Sequence, residues 1–404
     1  MINLELPAKL TNIQKMTGGM AKSMLRPISR KYDTLEHEPP KELDPIKNMM
    51  GQGGGGLGGL GAGGGSGSKE SKEKKDDGVK NAGNMLGVVA VENMCWGDCG
   101  LMLAMPGQGL GNAAIAAVAT ESQLERFGGK WAAMAITEPG TGSDSANIST
   151  TATLDGDEWV LNGEKIFVTD GGRCEVVVVW ASLDKSKGKA AIKSFVVEKG
   201  APGMEVVRLE KKMGIRASDT AAITFTDCRI PKDNILGSPE IDTKKGFGGV
   251  MQTFDNTRPV VAAMALGVGR AALDMTKELL KQEGIEPSYS KKTFNASALE
   301  AEIYRMEADL EAARLLTLKA AWMADNRQPN SKEASICKAK AGRVGNYVTL
   351  RCVELCGTLG YSHDTLLEKF ARDSKILDIF EGTQQIQQLI VARQTLGLSS
   401  KELR

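Results

Sequence analysis

The chain has 404 residues, which is enough for two or three domains of ordinary size and for a buried ligand site. Its 51 lysines and arginines balance 50 aspartates and glutamates, so no overall field favours nucleic acid or an anionic membrane. The start, MINLELPAKL, lacks a basic leader followed by an apolar stretch, and no uncharged apolar run has membrane-spanning length. These features predict a soluble, cytoplasmic protein.

The seven cysteines form no dense framework, so we expect a reducing compartment and no disulfides. Cys95 and Cys99, and likewise Cys352 and Cys356, are spaced to lie on one face of a helix, where they would either pack or ligate zinc. Neither pair has a histidine beside it in the sequence. We therefore expect packing and no metal site.

The first ~45 residues have a helical pattern that Pro39 and Pro40 end. A glycine–serine tract then runs into KESKEKKDDG, and neither piece has enough apolar surface to offset the entropy of ordering. We expect residues 51 to 78 to be a mobile loop. A lid over a substrate entrance is the alternative.

Alanine, leucine and methionine recur at helical spacing from Asn84 to Phe127, which predicts core helix. The segment PGQGLGNAA faintly resembles a dinucleotide-binding fingerprint, but no strand precedes it and no βαβ unit surrounds it. Its glycines are better explained as the turn before a helix.

Between about Trp131 and Leu236 the pattern changes to alternation and short β-branched runs, such as ISTTATL and EVVVVWA, which predict strands. Asn162-Gly163 lies between two such runs and predicts a tight hairpin turn. Strands joined by hairpins without intervening helices indicate an antiparallel sandwich or barrel rather than a doubly wound sheet.

After about Gly246 the helical period returns and lasts to the end of the chain. The apolar stripe of one helix consists of Leu299, Ile303, Met306 and Leu310. The predicted fold class is α+β. We expect an N-terminal helical domain over residues 1–130, a central antiparallel β-sandwich or barrel domain over 131–240, and a C-terminal four-helix bundle over 241–404.

Carboxylates are the candidates for acid–base chemistry, because two histidines far apart leave few ways to build a nucleophilic triad. Glu381 follows four mostly apolar residues and precedes a glycine, at the predicted start of an apolar helix. Apolar surroundings raise a carboxyl pKa toward the range useful for a base. A glutamate that caps the helix is the alternative.

Two further segments have features of a cofactor site. The loop from Ile136 to Asn147 is rich in glycines and hydroxyls and either cradles a phosphate or forms a wide hairpin connection. Phe167 and Thr169 end a strand on one face, where they would stack on and hydrogen-bond a flat heterocycle or simply pack.

Four segments in register resemble one family. They are TEPGTGSD at 137 to 144, FVTDGG at 167 to 172, FDNTRP at 254 to 259 and FEGTQQIQ at 380 to 387. Their order and spacing over about 250 residues resemble the acyl-CoA dehydrogenases, which have the same order of helices, sheet and helices.

The resemblance implies FAD as cofactor and Glu381 as the base that removes the alpha proton of an acyl-CoA, giving a trans-2-enoyl-CoA in beta-oxidation of a fatty acyl or sterol side chain. Some members place the base where this chain has Thr257. Implied FAD contacts are Met134, Ile136, Thr137, Gly142, Ser143, Phe167, Thr169, Thr383 and Gln385. Implied substrate contacts are Ser143, Asp255, Arg258, Phe380 and Gly382.

Departures from the family pattern concern residues that reach a neighbouring subunit's FAD. An arginine is replaced by Lys291, two glutamines by Glu302 and Glu354, and a double glycine by Gly357-Thr358. Carboxylates repel a pyrophosphate and lysine lacks the arginine fork. We therefore expect a heterotetramer with a related sister chain, and an electron-transferring flavoprotein as acceptor.

An acyl-CoA oxidase and a catalytically silent structural subunit are the alternatives. The acyl group stays open, because Phe380 replaces the usual tyrosine and the glycine-rich insertion replaces a segment beside the acyl pocket.

Overall fold

The computed structural model describes residues 5–45, 83–105, 109–241, 248–290, 292–399 and 402–403. The glycine-rich stretch from 51 to 78, with its predicted mobility and the alternative lid, lies outside the described residues, and so does Lys291.

The N-terminal region is helical. Its helices are α1 (Ala8–Met20), α2 (Ser29–Thr34), α3 (Gly83–Gly97), α4 (Cys99–Leu103), α5 (Leu110–Val118) and α6 (Glu121–Phe127). Gly109 precedes α5 as its N-cap, in agreement with the predicted turn before a helix. A Cβ atom on Gly111 would lie 2.3 Å from the carbonyl oxygen of Ala133, so α5 packs against the sheet at backbone distance.

The spacing of Cys95 and Cys99 had predicted that they share one helix, but they lie in different helices. Cys95 lies in α3 and Cys99 begins α4, because Asp98 ends the first helix and caps the second by accepting the backbone N–H of Leu101 at 2.8 Å. Both thiols are buried. Within the described ranges no group of three or more His, Cys, Asp or Glu residues is arranged to hold a metal ion.

A seven-stranded sheet follows. Its strands are β1 (Ala132–Ala135), β2 (Thr151–Asp155), β3 (Glu158–Thr169), β4 (Val176–Ser182), β5 (Ile192–Glu198), β6 (Met204–Leu209) and β7 (Thr220–Pro231). The strand order is β1-β4-β2-β3-β7-β6, with β5 also paired to β4. Most pairs are antiparallel as expected, but β4 runs parallel to both β1 and β2. The expectation of hairpin connections throughout was therefore too simple.

The predicted hairpin at Asn162-Gly163 is wrong, because both residues lie inside β3. The turn between β2 and β3 uses Gly156, whose φ is 60°. Asn162 instead marks a bulge opposite Asp227, with its amide donating to that carboxylate at 3.1 Å and accepting from the Asp227 N–H at 2.8 Å. Gly163 is required there because a Cβ would meet the Thr150 hydroxyl at 2.4 Å.

The C-terminal region is a helical bundle. Its helices are α7 (Gly248–Gln282), α8 (Ala298–Asp325), α9 (Ser331–Leu355), α10 (Gly357–Tyr361), α11 (Leu367–Ile376) and α12 (Gln384–Leu396). The predicted stripe of α8 faces the core, where Ile303, Met306 and Leu310 are buried and Leu299 packs against them. Residues Thr257–Gln282 of α7 contain an apolar stretch long enough to cross a membrane. However, 83% of that apolar stretch is buried inside the protein. This stretch is therefore core helix.

A buried charge cluster ties the three regions together. The ammonium of Lys369 on α11 lies 2.7 Å from a carboxylate oxygen of Asp98, before α4, and 2.5 Å from one of Asp373. The other Asp373 oxygen accepts the backbone N–H of Ile215 from the loop before β7, at 2.5 Å. Because each carboxylate is paired and hydrogen-bonded, the desolvation cost of the cluster is offset only when all three regions are in place.

Candidate functional site

Glu381 lies in a strained turn between α11 and α12. Its φ is 57° and that of Gly382 is 91°, so both residues adopt the left-handed conformation. For a residue with a side chain this conformation costs about 1–2 kcal/mol. The helix α12 begins three residues after Glu381, and its N-cap is Thr383, which accepts the N–H of Ile386 at 3.4 Å. The alternative that Glu381 caps the helix is therefore wrong.

The carboxylate of Glu381 is turned into the bundle. It accepts a hydrogen bond of 2.9 Å from the hydroxyl of Thr257 on α7. Burial raises the pKa of Glu381 above its ordinary value, while the Thr257 hydrogen bond and the positive charges of Arg258 and Lys338 oppose that rise. The net result is a carboxylate with raised proton affinity beside two cations, which is the environment of a general base.

The substrate-contact candidates of the bundle lie on both sides of Glu381. Arg258 is buried and donates to Asp255 at 2.5 Å. Burial lowers the pKa of Arg258 and raises that of Asp255, each against the influence of the partner charge. Phe380 and Gly382 flank Glu381 in the chain, and Phe380 packs against the bundle core. The structure therefore brings Glu381, Arg258 and Asp255 into one polar cluster inside apolar helices.

The loop from Ile136 to Asn147 joins β1 to β2. These strands are separated by β4, so the loop is a crossover and the alternative of a wide hairpin connection is wrong. Glu138 is buried and accepts hydrogen bonds from the Thr150 hydroxyl at 2.6 Å and the Lys165 ammonium at 2.8 Å. Glu138 and Lys165 fix the loop onto β3. Their roles were missed in the sequence because nothing there indicates that the two charges are buried.

The remaining cofactor-contact candidates of β1 and the loop differ in exposure. Gly142 and Ser143 are exposed and Thr137 is partly exposed, whereas Ile136 is buried and Met134 half-buried under the sheet. Because a Cβ on Gly142 would meet nothing within 4 Å, its backbone is open to a ligand.

Phe167 lies two residues before the end of β3, and its ring is exposed. Its side chain is 60% exposed and its φ is 58°, at a bulge between Lys165 and Val168. Val168 is buried and Thr169 is partly exposed, so the two predicted contact residues, Phe167 and Thr169, are both accessible. The bulge interrupts the simple alternation from which their shared face was predicted. Packing inside the sheet therefore does not account for the Phe167 ring, which is accessible to a ligand.

Family models match two long parts of the chain. The middle domain of acyl-CoA dehydrogenase matches residues 133–228, and the C-terminal domain of acyl-CoA dehydrogenase matches residues 244–396. Acryloyl-CoA reductase (NADH) of Anaerotignum propionicum is 38% identical over 280 residues, which are 68% of this chain and 69% of that protein. The chain belongs to the acyl-CoA dehydrogenase family.

Two other family members extend the comparison. Short-chain specific acyl-CoA dehydrogenase from Mus musculus mitochondria is 38% identical over 265 residues, which are 66% of this chain and 63% of that protein's length. The solved structure of butyryl-CoA dehydrogenase from Megasphaera elsdenii superposes with a TM-score of 0.83 at 31% identity, over 98% of this chain and 100% of that one. The helix, sheet, helix architecture is therefore that of the family.

Members of the acyl-CoA dehydrogenase family are FAD flavoproteins, and FAD is the cofactor of this chain. The residues present fit the group. The exposed Phe167 ring offers a stacking surface, and the open backbone at Gly142 and Ser143 offers N–H donors to an anionic cofactor. At the start of α12, Thr383 is partly exposed and Gln385 is exposed.

Glu302 and Glu354, which replace family glutamines, are not bare carboxylates. Both accept hydrogen bonds from Arg351, and the Glu302 bond measures 3.0 Å. Glu302 also accepts from Arg305 at 2.6 Å and from the Tyr347 hydroxyl at 3.2 Å. The positive charges of Arg351 and Arg305 therefore balance the negative charges of Glu302 and Glu354. The carboxylates of Glu302 and Glu354 offer no amide donors to a neighbour's cofactor, but the simple repulsion that the sequence predicted is largely compensated.

Proposed function

We propose that this chain is an FAD-dependent acyl-CoA dehydrogenase that oxidises the Cα–Cβ bond of an acyl-CoA thioester to a trans-2-enoyl-CoA, with Glu381 as the base. The observation that carries the proposal is the placement of Glu381, whose carboxylate is desolvated, hydrogen-bonded by Thr257 and held in a left-handed turn. Membership of the family supports the reaction class.

The chemistry requires a base of raised proton affinity. The alpha C–H of a thioester is a weak acid, so a carboxylate removes its proton only where the base is desolvated and the developing charge is stabilised. Glu381 meets the first condition and takes the proton on its carboxylate. FAD, when bound, accepts the beta hydrogen as hydride. Arg258 and Asp255 form a fixed polar pair that orients the acyl-CoA beside Glu381.

The contact residues follow from the same proposal. Ser143 lies where both cofactor and substrate are expected, and Phe380 and Gly382 flank the acyl group. The proposed FAD contacts are Met134, Ile136, Thr137, Gly142, Ser143, Phe167, Thr169, Thr383 and Gln385. The proposed domains are a helical one over 1–130, a flavin-binding one over 131–240 and a bundle with the base over 241–404.

The substrate is a fatty acyl or sterol side-chain CoA, oxidised in a beta-oxidation sequence in the cytoplasm. The relatives named short-chain specific and butyryl-CoA dehydrogenase favour short acyl groups as the first to be assayed. The proposed electron acceptor is an electron-transferring flavoprotein, and the proposed assembly is a heterotetramer with a sister chain. The altered surface around Glu302 and Glu354 supports that assembly, and it also favours a silent structural subunit as the second candidate.

The test is flavin bleaching by substrate. We expect anaerobic addition of a short acyl-CoA to reduce the bound FAD, and Glu381→Gln to slow this step by about 100-fold or more, because the amide cannot accept the proton. The exposed Glu402→Gln serves as the matched control and should bleach like the unmodified protein. The proposed base is wrong if Glu381→Gln bleaches at the normal rate. It is also wrong if the loss of bleaching rate is no larger than the loss of bound FAD.

The same assay separates the alternatives. A silent subunit gives no bleaching with any acyl-CoA of a panel graded by chain length and including a sterol side-chain thioester. An oxidase turns over with molecular oxygen alone, whereas a dehydrogenase requires an artificial one-electron acceptor or the flavoprotein.

A further inference from the structure

Lys338 is a buried cation that the proton transfer does not use. It lies on α9 with 1% of its surface exposed, and its ammonium donates a hydrogen bond of 2.6 Å to the backbone carbonyl of Gly382. Burying an ammonium in a helical bundle is costly unless it is hydrogen-bonded and faces opposite charge. Here the hydrogen bond goes to the residue directly after the proposed base.

The turn that carries Glu381 is held by a second donor. The side-chain amide of Gln387, which is fully buried, donates to the carbonyl of Glu381 at 2.9 Å and to that of Gly382 at 3.2 Å. A Cβ on Gly382 would lie 2.4 Å from this amide nitrogen. The two left-handed residues are thus fixed by one charged donor from α9 and one neutral donor from α12. A strained backbone of this kind persists only where its surroundings hold it.

The charges around the turn come from three elements. Glu381 faces Thr257 and Arg258 from α7 and Lys338 from α9. Lys338 in turn faces Arg258, Glu381 and Asp378, the last from the segment between α11 and α12. Burial lowers the pKa of Lys338 to about 8, against the influence of the two carboxylates, so the side chain carries its charge at pH 7.

We propose that Lys338 is a positioning residue for Glu381: its hydrogen bond to the Gly382 carbonyl fixes the left-handed turn, and its buried positive charge lies beside the proposed base. The inference rests on the proposed function, because it assigns the residue that holds and tunes the proposed base. The hydrogen bond acts on geometry and the charge acts on proton affinity, so the two contributions are separable by substitution.

Three variants separate them. Lys338→Met removes both donor and charge, Lys338→Gln retains an amide donor without charge, and Gln387→Leu removes the neutral donor alone. Lys340→Met, on the same helix but paired with Asp309 at the surface, is the matched control. For each FAD-loaded protein, kcat and KM for the acyl-CoA are measured against pH with an artificial one-electron acceptor, together with flavin content.

The expected results differ between the variants. Lys338→Met lowers kcat by about 10- to 100-fold with little change in KM, because the base is misplaced rather than the substrate site lost. The rising limb of its pH profile moves to higher pH, since a neighbouring positive charge has been removed. Lys338→Gln moves the limb with a smaller loss of kcat. Gln387→Leu lowers kcat without moving the limb, and Lys340→Met changes neither.

A purely structural role for Lys338 has a different signature. In that case both Lys338 variants lose activity only in proportion to lost flavin or lost folded protein, and the rising limb of the pH profile stays in place. This result overturns the inference, and so does a kcat and a rising limb that are both unchanged. An infrared titration of the carboxyl band in FAD-free protein, with Glu381→Gln subtracted, measures the pKa of Glu381 without turnover. It tests Lys338 even if no acyl-CoA bleaches the flavin, an outcome that would refute the proposed function instead.

Discussion

At the scale of single residues, opposing influences set the proton affinity of Glu381. Burial raises its pKa, and the Thr257 hydroxyl, Arg258 and Lys338 act in the other direction without cancelling the rise. A base needs this balance, because a fully compensated carboxylate is too weak to take a carbon-bound proton and an uncompensated one stays protonated near neutral pH. The folded-state pKa is raised, so the active carboxylate form is populated only as pH rises above the ordinary carboxyl range.

Removal of the Thr257 hydroxyl tests this balance. Thr257→Val keeps the shape of the side chain but deletes the donor to Glu381, so the pKa of Glu381 rises further and the rising limb of activity moves to higher pH by about one unit. The measurement is the pH dependence of anaerobic flavin bleaching. Thr257→Ser retains the donor and should keep the normal limb. A valine variant with an unchanged limb would show that this hydrogen bond does not tune Glu381.

At the scale of elements, the buried pair of Glu138 and Lys165 fastens the loop from Ile136 to Asn147, the proposed FAD loop, to the sheet. Lys165 on β3 donates to Glu138 at 2.8 Å and to the carbonyl of Ile136 at 3.1 Å. Glu138 also accepts the backbone N–H groups of Ser149 at 2.5 Å and Thr150 at 2.9 Å, at the entry to β2. One carboxylate therefore connects the loop to two strands, so we expect its loss to affect FAD binding as well as stability.

Glu138→Gln leaves the Lys165 ammonium buried without its counter-charge. We expect a loss of about 3–5 kcal/mol in the free energy of unfolding, measured by urea denaturation, and a matching loss of FAD affinity. Adding Lys165→Met should recover part of the stability, because no uncompensated charge then remains. The control is Glu158→Gln, because Glu158 lies on the same strand as Lys165 but in an exposed pair with Arg229. It should change stability little. Equal effects of the two glutamate substitutions would contradict the assignment.

The same pair predicts acid sensitivity. Burial alone would raise the pKa of Glu138, but the hydrogen bonds from Lys165, Thr150 and Ser149 outweigh it and lower the pKa from 4.5 to about 2. The stability that Glu138 contributes is therefore present above pH 4.5 and lost as pH falls toward 2. This part of the acid destabilisation should be missing from Glu138→Gln.

At the scale of the whole molecule, the surface around Arg351 bears on assembly. Glu302 and Glu354 each accept a hydrogen bond from Arg351, so this side chain has fewer donors left for a neighbour's pyrophosphate. We expect the chain purified alone to hold FAD incompletely, and co-purification with a sister chain from the native source to raise occupancy. Flavin absorbance per chain and the mass of the assembly measure both.

Substitution tests the surface directly. Glu302→Gln with Glu354→Gln frees Arg351 and restores two amide donors, so the lone chain should gain FAD occupancy. Glu311→Gln, on the same helix and mostly exposed, is the control and should not. A homotetramer of the unmodified chain with complete and stable FAD occupancy would refute the heteromeric proposal.

The sequence by itself determined the element types, the family and the candidate residues, because helical and strand periods and short motifs are local properties. The left-handed turn at Glu381, the bulge at Asn162 and the parallel pairing of β4 were decided by the tertiary structure. So were the buried partners Lys165 and Lys338, which look like ordinary surface lysines in the sequence. Burial and proton affinity depend on what packs around a charge from distant segments, and no local pattern records that.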